Sequence, residues 1–255
     1  MPEHVDPIRL LIHGANGRMG QALLRLCADA GADGACQVVA AVSRRAPAQR
    51  VVAGVARLAA GEMSGAPPFD VLVDFSLPEG FDAALALALA RNTAFVSGTT
   101  GLSDAQRAAL EAAAAQIPVL WASNFSIGVA VLHALARQAA QLLPDWDCDI
   151  VEMHHARKQD APSGTALTLA DAVARGERRP QLAAIRAGDI VGEHCVQFAG
   201  PGERLELVHR AGNRDIFARG ALQAAAWLAR QPPGHYAIAD LLGTAMALDS
   251  PGRSR

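Results

Sequence analysis

The sequence predicts an α/β protein, in which a parallel-sheet domain is followed by a smaller α+β domain with a mixed sheet. The first third of the 255 residues alternates short apolar runs with segments of helical period, as βαβ units do. A glycine-rich segment follows the first apolar run directly. In the last third, strand-like runs succeed one another without a helix between them, which is typical of antiparallel or mixed sheets.

Five short apolar runs in the first half predict buried strands. They cover residues 8–13, 37–42, 71–75, 94–97 and 119–122. After the first run, apolar residues recur at helical spacing from Met19 to Ala30. Pro78 and Glu79 predict the start of a helix, and Ser103 predicts the N-cap of another over 104–115.

The pattern changes after Phe125, and we place a domain boundary near residue 126. An apolar-periodic helix over 127–143 ends at Pro144. Further along we predict a strand over 149–155, a helix over about 165–175, and strands over 189–198 and 204–209.

Composition excludes several classes of protein. A net charge of −2, a pI near 6.4 and 4% aromatic residues disfavour nucleic-acid binding. No apolar run reaches the roughly 18 residues of a membrane span, and no signal peptide is visible. The cysteines are unpaired in sequence and form no metal-ligand spacing, so we expect free thiols, no metal and a cytoplasmic location. They are Cys27, Cys36, Cys148 and Cys195.

The segment from Gly14 to Gly20 reads as a strand, a turn and a helix start, which predicts a Rossmann-like dinucleotide-binding domain. Gly14 would make the tight turn and Gly17 would let the backbone approach a pyrophosphate. The amides at the helix start and Arg18 would attract the phosphates. Asn16 stands where many such motifs have a second glycine. Glycines also collect in turns for structural reasons alone, but here both the strand and the helix are present.

The end of the second strand lacks the carboxylate that usually holds the adenosine ribose. No Asp or Glu occurs between Cys36 and Gln49, and Ser43 is followed by Arg44 and Arg45. A guanidinium there can pair with a 2′-phosphate. We therefore predict that NADPH is preferred and that NADH is possible, although two solvated loop arginines would give the same pattern.

The segment from Glu152 to Ala166 contains the highest density of reactive groups. Two histidines, an arginine and a lysine crowd the end of a predicted strand: His154, His155, Arg157 and Lys158. Next, Ser163 opens a helix whose first amides can hold an anion such as a carboxylate. Adjacent histidines of a strand point to opposite faces, so we expect them to differ in role and to be poor joint metal ligands. The alternative is a surface loop before a capped helix.

Five motifs, in order and over nearly the whole chain, resemble the 4-hydroxy-tetrahydrodipicolinate reductase (dihydrodipicolinate reductase) family of the bacterial lysine and diaminopimelate pathway. The motifs are Gly14-x-x-Gly17-Arg18-Met19-Gly20, Asp74-Phe75-Ser76-x-Pro78-Glu79, Gly98-Thr99-Thr100-Gly101, Ala122-Ser123-Asn124-Phe125-Ser126 and the run from Glu152-x-His154-His155 through Ser163-Gly164-Thr165-Ala166. A sixth segment, from Arg186 to His194, extends the match.

The resemblance implies a role for each motif. His154 would be the proton donor or acceptor and Lys158 the second proton donor. His155 would bind a substrate carboxylate with the backbone of Gly164 and Thr165. The residues implied to line the nicotinamide cofactor are Gly14, Ala15, Asn16, Gly17, Arg18, Met19, Gly98, Thr99, Thr100, Ala122, Ser123, Asn124 and Phe125.

The resemblance also implies a reaction and an assembly. NAD(P)H would give a hydride to a cyclic dicarboxylate, which yields tetrahydrodipicolinate with loss of water. A homotetramer would form through the sheets of the second domain. The chain would return to the first domain near Asp215, so the nucleotide-binding domain would comprise residues 1–126 and 215–255 and the substrate-binding domain residues 127–214. We expect hinges near residues 125–128 and 215.

Two departures from the family pattern bear on these expectations. Many members have Glu before the Arg of the second strand, and the Ser43 found here favours NADPH. The stretch between Arg175 and Arg186 is also shorter than in many members. Three alternatives remain open: another NADP-dependent dehydrogenase of an amino-acid precursor, a regulatory protein that binds NADPH without turnover, and an enzyme of this type that prefers NADH.

Overall fold

The computed structural model describes residues 6–31, 34–45, 48–174 and 179–246, and the chain forms two compact units. The first contains the chain as far as Phe125 together with Phe217–Leu241, and the second contains Ser126–Ile216. Residues 242–246 group with the second unit, whereas the sequence assigns them to the first. The expected hinge segments at 125–128 and 215 lie at the points where the chain passes from one unit to the other.

The secondary structure of the described residues alternates strands and helices up to residue 173 and then becomes rich in strands. The strands are β1 (Ile8–His13), β2 (Cys36–Ser43), β3 (Val51–Val52), β4 (Val55–Ala59), β5 (Val71–Asp74), β6 (Ala94–Ser97), β7 (Pro118–Trp121), β8 (Asp147–His154), β9 (Gln181–Arg186), β10 (Glu193–Gly200), β11 (Glu203–Arg210) and β12 (Gly234–Tyr236). The α-helices are α1 (Arg18–Ala30), α2 (Pro78–Arg91), α3 (Asp104–Ala113), α4 (Ile127–Leu142), α5 (Gly164–Val173) and α6 (Asp215–Leu228). Two 3-10 helices cover Ala60–Gly65 and Ile238–Met246.

The first unit is built on a parallel sheet, as predicted. Its strand order is β12-β7-β6-β5-β1-β2-β4-β3, and every neighbouring pair is parallel except β3 with β4. From β1 the chain moves one way to β2 and β4, and from β5 it moves the other way to β6 and β7. The carboxyl ends of β1 and β5 therefore flank the switch point at which open α/β sheets bind their ligands.

The core of this unit explains why its strands read as continuous apolar runs. Leu10, Leu11 and Ile12 of β1 are fully buried, as are the three valine and leucine residues of β5 over 71–73. Both faces of a central parallel strand are covered, so both alternating sets of side chains must be apolar. In α2, Pro78 occupies the first turn, and Ser103 caps α3, as their positions in the sequence predicted.

The prediction missed three strands of this sheet. β3 and β4 are short and at most half-buried at the sheet edge, so they lack the apolar run by which strands were recognised. β12 has the sequence Gly-His-Tyr and pairs with β7 over only three positions. Strands that short are defined by the partner that they extend, and a partner cannot be read from local sequence.

The second unit contains a mixed sheet of order β11-β10-β8-β9. β10 is antiparallel to β8 and β11, whereas β9 is parallel to β8. Helices α4 and α5 pack on one face, where Ile150, Val196 and Phe198 meet Ala136 and Leu169.

Two predictions in the second unit were wrong. The strand predicted over 189–198 begins only at Glu193, because Gly188 has a φ of +52° and turns the chain before it. Residues Gln181–Arg186, over which the sequence predicted no strand, form β9. This strand is an edge strand with mostly exposed positions, so burial imposes no apolar pattern on it. Residues 175–178 lie outside the described part of the chain.

Helix α6 packs in the first unit through a row of small residues, and this contact makes a stability prediction. A Cβ on Gly220 would lie 1.7 Å from the carbonyl oxygen of Phe125. Gly220→Ala must push α6 away from that carbonyl, and we expect it to lower the free energy of unfolding by about 1–3 kcal/mol in urea denaturation.

Gly61→Ala is the matched control, since a Cβ there meets nothing within 4 Å. Equal stability of the two variants would show that the close approach of α6 to Phe125 is not a constraint on folding.

Candidate active site

The glycine turn of the first unit has the geometry of a phosphate-binding turn. Gly14 follows β1 with a φ of +81°, and a Cβ there would lie 2.4 Å from the carbonyl oxygen of Phe75. Gly17 is the N-cap of α1 and provides no side chain to cap the helix. The first amides of α1 are thus left for an external anion, and Arg18 stands exposed at that helix end.

The third glycine of the motif, Gly20, allows a close contact within the turn. A Cβ on Gly20 would lie 2.4 Å from the carbonyl oxygen of Gly14, so it lets α1 close onto the turn itself rather than onto the strand. Ala15 is buried, and its amide donates to the carbonyl of Val42, which ties the turn to the end of β2. Met19 is half-buried on the same helix.

A cavity of about 480 Å³ opens beside this turn. Gly14, Asn16 and Gly17 line one part of it, and Ser43 and Arg44 at the end of β2 line another. The remaining wall comes from the β5–α2 connection and the neighbouring elements. The cavity therefore combines close-approach backbone, open helix amides and a guanidinium, which is the donor set that a phosphorylated dinucleotide requires.

The segments after β6 and β7 lie beside the same sheet edge. Thr99 is buried, and its carbonyl accepts a hydrogen bond from the indole nitrogen of Trp121 at 2.9 Å. The amide of Ala122 donates to the carbonyl of Ser97, which holds the start of the 122–125 segment against the end of β6. Gly98 and Thr100 flank Thr99, and Ser123 and Asn124 follow Ala122. Phe125 is buried with its ring 5.3 Å from that of Phe75.

A buried carboxylate that sequence reasoning did not single out joins these segments. Asp74 is completely buried at the end of β5. Its Oδ1 accepts from His13 Nδ1 at 3.0 Å and from the amide of Ser76 at 3.1 Å. Its Oδ2 accepts from the hydroxyls of Ser97 and Thr99 at 3.0 and 2.8 Å. Burial acts to raise the pKa of Asp74, but the hydrogen bonds outweigh it and the pKa is lowered.

A second buried carboxylate organises the candidate catalytic segment in the other unit. Glu152 lies on β8 and is 1% exposed. Its Oε2 accepts from His154 Nδ1 at 2.5 Å and its Oε1 accepts from the amide of Ser163 at 3.0 Å. Arg186 of β9 donates to both oxygens, at 2.9 and 2.6 Å. Burial acts to raise the pKa of Glu152, yet the bonds from Arg186 and His154 outweigh it and lower the pKa.

The two adjacent histidines have different partners, as their alternation predicted. Because Glu152 accepts from Nδ1 of His154, the other nitrogen of that imidazole remains for chemistry. His155 lies 3.3 Å from Arg214 through its Nε2. Desolvation, together with the charges of Arg157 and Arg214, lowers the pKa of His155. His155 is thus neutral near pH 7 and sits among cations, which favours an anionic ligand beside it.

Lys158 is the only lysine among the 255 residues, which include 22 arginines. Its ammonium contacts both carboxylate oxygens of Asp160 at 2.7 Å, and its side chain is 21% exposed. The hydrogen bond from Lys158 is the largest effect that lowers the pKa of Asp160. The carbonyl of Asp160 also accepts from Arg186, which connects this loop to the Glu152 cluster.

Helix α5 begins beside the same carboxylate. Ser163 is its N-cap, with Oγ accepting from the amide of Ala166 at 3.2 Å, and the helix starts at Gly164. Gly164 is exposed and Thr165 half-buried, so the first turn faces solvent. This placement agrees with an anion site at the helix N-terminus.

Sequence reasoning missed His194, which completes the cluster. Its Nε2 lies 3.2 Å from Ser163 Oγ, and its ring packs edge-on against His154 with centroids 5.3 Å apart. Its Nδ1 is buried without a hydrogen-bond partner in the described residues. Desolvation, reinforced by the charge of His154, lowers the pKa of His194 to about 4. The only available signal was its place in the Arg186 to His194 motif, because β10 brings it opposite Glu152 across the sheet.

Comparison with known proteins covers both units. Residues 8–125 match the family model described as dihydrodipicolinate reductase, N-terminus, and residues 128–242 match its C-terminus counterpart. The chain belongs to the dihydrodipicolinate reductase family.

Relatives and a solved structure agree with this membership. The chain is 66% identical over 236 residues to the 4-hydroxy-tetrahydrodipicolinate reductase of Stenotrophomonas maltophilia (strain R551-3), covering 92% of this chain and 98% of the relative. It is 57% identical over 235 residues to that of Xylella fastidiosa (strain 9a5c), with coverage of 92% and 98%. A dipicolinate-bound dihydrodipicolinate reductase from Paenisporosarcina sp. TG-14 has the same fold, with a TM-score of 0.74 at 23% identity over 91% of this chain and 97% of that one.

Neither a clustered metal site nor a membrane span is found in the described part of the chain. No group of three or more His, Cys, Asp or Glu side chains among them is placed to hold a metal ion. None of the helices in the described ranges is long and apolar enough to cross a membrane.

The lowered pKa of His194 makes a prediction about stability and pH. Folding lowers the pKa from 6.5 to about 4, so between these values the unfolded chain binds a proton that the folded chain excludes. The stabilisation is present above pH 6.5 and is lost as the pH falls to 4, by about 3 kcal/mol at most. Urea denaturation of the wild type and His194→Gln over this range should show the steeper decline in the wild type.

His155 and His209, whose pKa values are also lowered, are present in both proteins, so their contributions cancel in the difference. Parallel stability curves for the two proteins would contradict a neutral, desolvated His194.

Proposed function

We propose that this chain catalyses the NAD(P)H-dependent reduction of 4-hydroxy-tetrahydrodipicolinate to tetrahydrodipicolinate, with loss of water, in the diaminopimelate route to lysine. One observation carries the proposal. The buried carboxylate of Glu152 accepts hydrogen bonds both from the His154 imidazole and from the amide of Ser163, the N-cap of α5. Such a cluster offers a proton and an anion site together. The names of the relatives, at 57–66% identity over 92% of the chain, support the same reaction.

The cofactor, when bound, supplies the hydride, and the second unit provides the remaining chemistry. Glu152 fixes the His154 imidazole through Nδ1, so that Nε2 can give a proton to the reacting substrate or take one from it. Arg186 keeps Glu152 ionised and therefore able to accept that hydrogen bond. Lys158 would act as the second proton donor, released from Asp160 when substrate binds.

Substrate binding would use the cationic surroundings of this cluster. The solvent-facing first turn of α5, at Gly164 and Thr165, would hold one carboxylate through its backbone. The neutral His155 would contribute a hydrogen bond, and its neighbour Arg214 a full charge, to the anionic substrate. A cyclic dicarboxylate matches this arrangement better than a neutral substrate, which would leave several donors and charges unpaired.

The sole lysine supports a chemical role for Lys158. Elsewhere this chain places its side-chain cations as arginine, whose guanidinium does not deprotonate in proteins. An ammonium can donate its proton, since its ordinary pKa is about 10.4. A lysine rather than an arginine is expected at position 158 if the side chain there must release a proton.

The alternatives are less well supported by the same residues. A protein that senses NADPH needs the glycine turn but not an imidazole oriented by Glu152 and Arg186. Another NADP-dependent dehydrogenase would share the first unit, but it has no need for the cluster from His154 to Ala166.

Substitution of the proton donors tests the reaction. We expect His154→Ala and Lys158→Ala each to lower kcat about 10²–10⁴-fold while NADPH still binds, because general acid–base catalysis contributes that much. Lys158→Arg should be nearly as inactive as Lys158→Ala, since it keeps the charge but cannot give up the proton. The assay follows NADPH oxidation with freshly generated substrate, alongside NADPH binding by fluorescence.

His133→Ala is the control, because His133 bonds to the carbonyl of Thr168 outside the cluster and should leave kcat unchanged. Reductive methylation should give NMR resonances from one lysine side chain and from the N-terminal amine, and dipicolinate should shift the lysine resonance. Full activity of the double variant His154→Ala/Lys158→Ala would refute the assignment.

We further propose that NADPH is the preferred cofactor. Arg44 lines the cavity beside the glycine turn, and Ser43 stands where a carboxylate would repel a 2′-phosphate. The Oγ of Ser43 donates to the carbonyl of Arg45 at 3.0 Å, which shapes the loop that presents Arg44. NADH would bind the same turn without this charge pair.

Comparison of kcat/KM for the two cofactors tests the preference. Arg44→Ala should reduce kcat/KM for NADPH about tenfold and leave the value for NADH nearly unchanged, as loss of one phosphate–guanidinium pair implies. Arg45→Ala, outside the residues lining the cavity, is the matched control. A wild-type preference for NADH that Arg44→Ala does not alter would overturn the assignment.

We also propose a homotetramer, assembled through the sheet of the second unit. On the face opposite α4 and α5, alternation places Val151, Met153, Ile185, Cys195 and Val208 together. Ile185 and Val208 are 44% and 41% exposed, which is unusual for apolar residues of a folded sheet and favours association. None of the four cysteines forms a disulfide, which supports a cytoplasmic location.

A further inference from the structure

The buried pair of Asp74 and His13 in the first unit is not explained by folding of the sheet alone. Parallel strands need no charged group between them, and burying a carboxylate is costly unless several donors replace its water. Here four donors do so, and they come from the ends of three neighbouring strands, β1, β5 and β6. A charge has thus been placed where an apolar side chain would serve stability as well.

Each donor to Asp74 belongs to, or adjoins, a segment placed to bind the dinucleotide. His13 immediately precedes Gly14, and both line the cavity of about 480 Å³. Ser76, whose amide donates to Oδ1, lines the same cavity. Thr99, whose hydroxyl donates to Oδ2, lies in the 98–100 segment. Displacement of Asp74 would therefore release all three segments together.

The His13 ring is fixed on its other side as well. Its Cε1 would lie 2.8 Å from a Cβ on Gly80, so the imidazole packs against the first turn of α2. The ring is 4% exposed. It is thus held between Asp74 and α2 at the wall of the cavity, with little freedom to turn.

We infer that Asp74 and His13 form a positioning pair for the dinucleotide, in which one buried carboxylate sets the spacing of the glycine turn, the β5–α2 connection and the 98–100 segment. The pair acts through these segments and does not itself react. The inference rests on the cofactor half of the proposed function and is independent of the substrate.

Asp74→Asn tests this role with little change in shape. An asparagine can turn its amide nitrogen toward Ser97 and Thr99, whose hydroxyls can accept, so the fold is kept while the charge is lost. We expect the Kd for NADPH, measured by fluorescence titration, to rise on the order of tenfold. The Kd for dipicolinate, a cyclic dicarboxylate that probes the second unit, should stay unchanged. A general loss of structure would instead raise both Kd values.

Asp70→Asn is the matched control. Asp70 precedes the same strand at its opposite end and pairs with Arg9 at 2.6 Å, away from the residues that line the cavity. It should leave both Kd values at wild-type level. If Asp74→Asn does not fold, Thr99→Val and His13→Leu each remove one donor to the carboxylate and should each raise the Kd for NADPH several-fold.

The outcomes separate this inference from the proposed function. Wild-type affinity for NADPH in a folded Asp74→Asn protein, or in both Thr99→Val and His13→Leu, overturns the inference alone. An equal weakening of NADPH and dipicolinate binding also overturns it, because the effect would then be a general loss of structure. If the wild-type chain does not bind NADPH, the proposed function and the inference both fail.

Discussion

When the second unit folds, the Glu152 carboxylate loses its hydration, and donors from its own strand and from two other segments of the chain replace that water. They are the imidazole of His154, the guanidinium of Arg186 and the amide of Ser163. A buried charge left with an empty acceptor costs more than most single contacts contribute, so all three segments must be in place together. The hydrogen bonds that Glu152 accepts thus fix the position of the His154 imidazole relative to the start of α5, which would hold a substrate carboxylate.

The first unit uses the same device at the corresponding place in its sheet. Asp74 also lies at the carboxyl end of a strand, where loops from neighbouring strands converge and where helix amides remain open. Such an edge has many donors and few apolar groups. The free-energy cost of burying a carboxylate is therefore lower there than in the apolar core, where no donors replace its water. In both units a buried carboxylate therefore holds together the segments that contain the predicted site residues.

Local signals in the sequence predicted what depends on local geometry. The strand, turn and helix around Gly14, and the caps Ser103 and Ser163, were read correctly because each is specified within a few residues. His194 and Arg186 were not assigned roles, because their contacts with Glu152 arise from strand register over 34 residues or more. The edge strand β9 was missed for a related reason: its pairing with β8 is decided by tertiary structure rather than by its own exposed residues.

Two cations in and beside the Glu152 cluster, Arg186 and Lys158, pair with carboxylates of very different exposure. Arg186 carries a fixed charge and pairs through two nitrogens with the buried Glu152, which keeps that carboxylate ionised over the whole physiological range of pH. Lys158 pairs instead with Asp160, whose side chain is 61% exposed, so water can replace either partner at low cost. The cation beside the buried carboxylate is thus held in fixed geometry, and the cation that we propose as a proton donor is held weakly by an exposed partner. Exchange of the two residue types would place an ammonium that can deprotonate beside the buried Glu152 and a guanidinium that cannot beside the exposed Asp160.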